Sequence, residues 1–141
     1  MNISLGQART IVAAALAHGR EQGFNPLSVA VLDAGGHLTA FEREDGSSNR
    51  RFEIAHGKAH GAISFGVGSR RLGEMAVERP HFVAGVTSAF GGAVVPVPGG
   101  VIVVDGDGHP LGAVGVSGDT SDNDEAAAVA GIEAAGLTAR I

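Results

Sequence analysis

The stretch that most constrains this 141-residue chain is LGAVGVSGDTSDNDEAAAVAGIEAAG, from Leu111 to Gly136. Leu111, Val114 and Val116 supply β-type apolar surface, while Gly112, Gly115 and Gly118 leave out side chains where another backbone or a ligand comes close. Gly118-Asp119-Thr120 breaks the strand. Ser121 with Asp124 three residues on predicts a capping box that opens an alanine-rich helix. Asp122, Asp124 and Glu125 crowd its first turn, where the helix dipole favours negative charge. These residues argue against a phosphate cradle. The glycines fall as G-x-x-G-x-x-G, no G-K-[ST] follows, and three carboxylates would repel a phosphate at the helix N-terminus.

Composition narrows the classes further. A chain of this length forms one domain, residues 1–141, and buries enough surface to need no disulfide or metal. With no cysteine there is no thiol nucleophile, Cys-ligated zinc or iron–sulfur cluster. A net charge of -5 and a pI near 5.6 argue against nucleic acid or an anionic membrane as partner. No apolar run reaches transmembrane length and no basic-then-apolar leader opens the chain, so a soluble, cytoplasmic protein is expected. With 23 glycines and only 18% charged residues, tight helix-to-sheet or subunit-to-subunit packing is expected.

In chain order, Ser4 and Gln7 form an S-x-x-Q box that opens a helix closed by Gly23. Leu5, Ala8, Val12, Ala15, Leu16 and Gly19 share its core face, and Ile11, Ala15, His18 and Gln22 make an adjoining stripe suited to a subunit contact or a pocket wall. Leu27–Asp33 reads as a central strand, apolar on both faces, which turns at Asp33-Ala34-Gly35-Gly36 into a returning strand, His37–Glu44. A helix follows from about Arg50 to Gly66, then a shorter one capped by Ser69 and ending before Arg79-Pro80. Phe82–Thr87 is ambiguous and fits a short strand. Gly91–Gly100 is a loop long enough to flank a site. Val101–Asp105 and His109–Ser117 pair around the turn Gly106-Asp107-Gly108. Hairpins with helices before, between and after them give an antiparallel α+β sandwich.

Four runs then match one pattern in order: VAVLDAGGHLTAFEREDG (Val29–Gly46), IAHGKAHGAISFG (Ile54–Gly66), PGGVIVVDGDGHPLGAVGVSG (Pro98–Gly118) and SDNDEAAAVAGIEA (Ser121–Ala134). Together they resemble the GlcG/HbpS-like family, which includes the C-terminal domain of PduO-type proteins and carries the label of a haem-binding or haem-degrading domain. The resemblance covers nearly the whole chain. It implies a profilin-like α/β/α sandwich with about five antiparallel strands and helices on both faces. It also implies homo-oligomers, and haem or a related tetrapyrrole as a small-molecule ligand. Some members are encoded with catabolic pathways, so the alternative is an accessory enzyme acting on an organic acid or a reactive intermediate.

A haem iron takes an axial ligand, usually His, in a largely apolar pocket. His18, on the first helix, where a haem-ligating histidine has been proposed in the PduO-type branch, is the first candidate. His56 and His60, spaced i, i+4 on the second helix near Phe52, are the alternates. Glu53 with His56 and His60 offers a carboxylate and two imidazoles to a metal ion, against the plain alternative of a solvated or intersubunit flank. For an enzyme, Arg43 or Lys58 would hold a carboxylate, and Asp45 or Asp124 would move a proton, Asp124 only if it is not spent as a cap. His37 and His109 follow glycine turns and are expected at the surface. His81 is placed to line the mouth of a site beside Phe82. The D-G-D-G at Asp105 is not a calcium loop, since its twelfth position is Val116 rather than Glu.

Overall fold

In the computed structural model, which describes residues 1–141, the first helix, α1 (Leu5–Gln22), opens on the box read from its sequence. The Ser4 hydroxyl accepts from the Gln7 amide, the Gln7 side chain accepts from the Ser4 amide, and Gly23 closes the helix at φ 73°. Next come β1 (Ser28–Asp33), β2 (Leu38–Arg43), α2 (Arg51–Phe65), α3 (Ser69–Glu78) and α4 (Pro80–Ala89). Then β3 (Gly100–Val104), β4 (Pro110–Ser117), α5 (Ser121–Ala134) and β5 (Thr138–Arg140) complete the chain. The five strands form one antiparallel sheet in the order β2-β1-β4-β3-β5. This is the expected α+β sandwich, with β1 and β4 inside it and buried on both faces.

Strand alternation divides the sheet into two unlike surfaces. Val29, Val31, Val101, Val103, Val114 and Val116 point to α1 and α5, where they join Ile11, Val12 and Ile132 in a cluster of 17 buried residues. Each such side chain contributes roughly 1.5–3 kcal/mol on burial, so this face holds most of the stabilisation. On the other face α2 lies over two clusters of three: Leu32, Ala59 and Ala113, and Ala62, Ile102 and Val104. There the helix backbone itself touches the sheet. A Cβ on Gly115 would collide with the Ala55 carbonyl oxygen, and one on Gly100 with that of Lys58. The close approach signalled by Gly115 therefore admits a helix rather than a ligand.

Five expectations are corrected. Leu5 is 48% exposed, whereas Ile11 and Ala15 are fully buried: the second stripe of α1 is the seat of α5, whose Gly131 rests on the Ile11 carbonyl. The α5 cap is Thr120, accepting from the Asn123 amide, not Ser121, and Asp124 is not part of that box. Gly68, not Ser69, precedes α3. The Ser69 hydroxyl is buried and accepts from the Gly100 amide at 2.7 Å. Phe82–Thr87 is helical, because Pro80 at the first turn has its φ preset for a helix and lacks only an N–H that would go unpaired there. The fifth strand is instead Thr138–Arg140, too short to show a period in the sequence. No helix is long and apolar enough to cross a membrane.

Candidate functional site

Helix α2 carries most of the chemistry. Its i, i+4 spacing stacks Phe52, His56 and His60 along one flank, and Phe41, from edge strand β2, meets that row from the sheet. The Phe41 and Phe52 rings are edge to face at 4.9 Å. The Phe52 and His56 rings lie 26° from parallel at 5.5 Å, and the His56 and His60 rings 17° from parallel at 5.5 Å. All four residues are half-buried, so the row is an apolar and aromatic strip with one side open.

The two imidazoles are held differently. His60 Nδ1 is 2.8 Å from the Ala93 carbonyl oxygen, in the loop before β3. A carbonyl only accepts, so Nδ1 carries the proton and, in the neutral ring, Nε2 keeps its lone pair. Gly36 packs beside this ring, where a Cβ would stand 3.3 Å from His60 Cδ2. Burial, and then the adjacent His60, pushes His56 below its ordinary pKa of 6.5, so it is neutral at pH 7. The Ala93 contact presets the tautomer of His60, leaving Nε2 as the nitrogen that a metal would meet.

Lys58, on the inward side of α2, behaves otherwise. Its Nζ donates to the Val116 carbonyl at 2.9 Å and pairs with Asp124 Oδ2 at 3.0 Å, with side-chain exposures of 3% and 2%. The other Asp124 oxygen accepts from the Asp119 amide. Burial pushes the Lys58 amine down and the Asp124 carboxyl up, each partly opposed by the other's charge. Alongside, Arg70 of α3 clasps Asp122 and Glu125, and these contacts raise its pKa further. The acidic first turn of α5 is thus neutralised by cations from α2 and α3, which lock the helices together at one end of the sheet.

The remaining candidates do not gather around either group. Arg43 and Asp45 are exposed, have no ion pair with each other or with Lys58 and Asp124, and border a shallow depression with Glu42 and Glu44. The four-residue catalytic set is therefore not one site, and its two buried members are satisfied by each other. Glu53 is exposed and paired with Arg50 at 3.0 Å, so it does not join His56 and His60 as a third ligand. The one trio of possible metal ligands within 4.8 Å is Asp105, Asp107 and His109, at the surface of the β3–β4 turn. His18 lies on the opposite face of the sheet from α2, half-buried and edge-on to Phe24 at 5.8 Å. It shares no site with His56, His60 and Phe52 within one chain. His37, His81 and His109 are exposed.

The sequence reading did not single out Phe41 or Arg51. Phe41 alternates on β2 with Ala40, which packs on the opposite face, a signal present in the A-F-E-R run. Arg51 bonds Ser117 at 3.2 Å across 66 residues, a contact with no local trace.

Comparison with known proteins agrees with the family resemblance. Residues 3–133 match a family model described as haem degrading protein HbpS-like. No curated protein matches the sequence. Among solved structures, a complex of PduOC with haem superposes with a TM-score of 0.87 at 24% identity, covering 100% of both chains. A double mutant of Streptomyces reticuli HbpS gives 0.81 at 27% identity, covering 94% of this chain and 86% of that one. Klebsiella pneumoniae protein ORFY gives 0.85 at 24% identity, covering 95% and 90%.

Proposed function

The chain belongs to the HbpS-like family, and we propose that it binds haem or a related tetrapyrrole on the open flank of α2. The row of Phe41, Phe52, His56 and His60 carries this reading. Flat rings offer an apolar surface to a macrocycle, and the His60 imidazole, its Nδ1 held by the Ala93 carbonyl, offers Nε2 to iron. His60 Nε2 is the leading ligand, with His56 its alternate and His18 the control on the far face. Arg43, two residues beyond Phe41 on β2, is exposed and has no ion pair, which suits it to a propionate reaching the edge of the sheet. Haem would supply the redox chemistry. The protein's own part is to exclude water on one side and to hold the ring nitrogens.

Self-association belongs to the same proposal. Helix α4 is largely apolar yet buries only Val83, and Phe90 at its end and Val77 just before it are 37% and 84% exposed. A second copy covering this helix would remove that surface from water.

Haemin titration followed in the Soret region tests the reading. A saturable band is expected for wild type and for His18→Ala, and a shifted or lost band for His60→Ala or His56→Ala. No saturable band, or loss in His18→Ala alone, would overturn the site. Sedimentation of the free protein tests the assembly, which Phe90→Glu should weaken.

A further inference from the structure

Beyond the aromatic flank, α2 begins at a second feature. Where the β2–α2 loop meets the end of β4, Asn25, Gly46, Ser47, Ser48, Arg51 and Gly118 border a depression of about 280 Å³ with no carboxylate in its wall. Gly46 and Gly118, at φ 88° and 152°, let the two loops bend around its rim.

The half-buried cation in that wall has no counter-ion. Arg51 Nε donates to Ser48 Oγ at 3.0 Å and Nη1 to Ser117 Oγ at 3.2 Å, while Ser47 Oγ lies 2.9 Å from Ser28 Oγ. These bonds orient the guanidinium but use only two of its five N–H donors. Arg20, Arg50, Arg70 and Arg71 each meet a carboxylate; of the five arginines that meet none, Arg9, Arg43, Arg79 and Arg140 are exposed and Arg51 alone is half-buried. Two carboxylates of the adjoining α5 turn are already engaged. Asp124 holds Lys58, and Asp119 accepts from the Asn25 amide at 2.8 Å and the Asn123 side chain at 2.7 Å. Lys58 lies close enough for the charge of Arg51 to bear on its amine, after burial and Asp124, but its own charge is met by Asp124. A partly desolvated guanidinium among hydroxyl groups is the arrangement that recognises an oxyanion.

We propose that this depression binds a small oxyanion, a carboxylate or a phosphate group, with Arg51 as the charged contact and Ser47 and Ser48 as hydroxyl partners. At roughly 30 Å³ per water-sized group the space holds a molecule of about nine non-hydrogen atoms, far less than a tetrapyrrole. The proposal is therefore independent of haem.

The test is a ¹⁵N chemical-shift titration of the full chain at low ionic strength, with acetate in one arm and inorganic phosphate in the other. Saturable shifts confined to amides of residues 46–52 and 117–119 are expected in at least one arm. The arm that saturates names the class of anion. Arg51→Gln should weaken binding about tenfold or more, while Arg51→Lys, which keeps the charge but not the fork, should fall between. A matched Arg50→Gln variant should bind as wild type. Unsaturable shifts in both arms, or equal binding by a folded Arg51→Gln protein, would overturn the proposal.

Discussion

The two faces of the sheet solve the same packing problem with different materials. Toward α1 and α5 the strands present six valines, and the helices answer with Ile11, Val12 and Ile132 in one continuous cluster. Toward α2 the apolar contacts shrink to two groups of three, and glycine lets backbone meet backbone. Around those contacts sit the buried polar groups Ser28, Lys58, Ser69, Ser117 and Asp124. Filling by large side chains leaves no role for polar atoms, whereas close approach through glycine brings carbonyls, hydroxyls and an ammonium within bonding reach of each other. The face with the weaker apolar core is thus the one that carries imidazoles, an ion pair and an unpaired guanidinium.

The largest expected break in this contrast is at Lys58. Removing it in Lys58→Ala leaves Asp124 charged, buried and without its partner, which should cost about 3–5 kcal/mol in denaturant unfolding. Substituting both, as in Lys58→Met with Asp124→Leu, should cost clearly less than the single change, because neither charge then has to be desolvated. A double variant as unstable as Lys58→Ala would mean that the bonds to Val116 and Asp119, rather than the charges, hold this end of the sheet.

Smaller changes separate the faces by sign of volume. Adding one methyl at Gly115→Ala forces α2 off the sheet and should cost about 1–3 kcal/mol or more. Deleting one methyl on the other face, Ile11→Val, should cost about 0.5–1.5 kcal/mol. The difference is measurable by urea midpoints. Equal costs would show that α2 tolerates displacement and that its contacts do not specify its position.

The legible parts of this fold were those written in neighbouring residues. Asp33 and Asp105 each accept backbone amides of their own turns, from Gly35 and His37 and from Asp107 and His109, so both hairpins declare themselves within five residues. Ser4, Gly23 and Gly66 mark helix ends in the same local way. What escaped was long-range. Thr120 and Ser121 are equally able to cap α5, and the choice follows from Asp124 being drawn to Lys58, 66 residues away. Ser69 reads as a cap but is used by Gly100, 31 residues on. In the candidate site the i, i+4 pair His56 and His60 was visible from spacing, whereas their rings' alignment with Phe41 depends on how α2 crosses β2. His18 falls on the far face with α1, where Ile11 and Ala15 of the same stripe seat α5, a use that periodicity within α1 alone cannot distinguish from a ligand wall.

The finest distinction concerns protons on the α2 face. His56 has its folded-state pKa lowered, first by burial and then by His60, so the unfolded chain takes up a proton at higher pH than the folded one. Its contribution to stability is therefore fully present above the ordinary value of 6.5, and is lost as pH falls through the lower folded value. Replacing it with an uncharged residue, His56→Gln, should flatten the decline in Tm between about pH 7 and pH 5 relative to wild type, leaving the slope due to carboxylates at lower pH. The corresponding change on the valine face, His18→Gln, serves as the comparison. If His56→Gln leaves the wild-type slope between those pH values unaltered, the ring is solvated rather than packed against Phe52, and the ordered row of rings on α2 is lost with it.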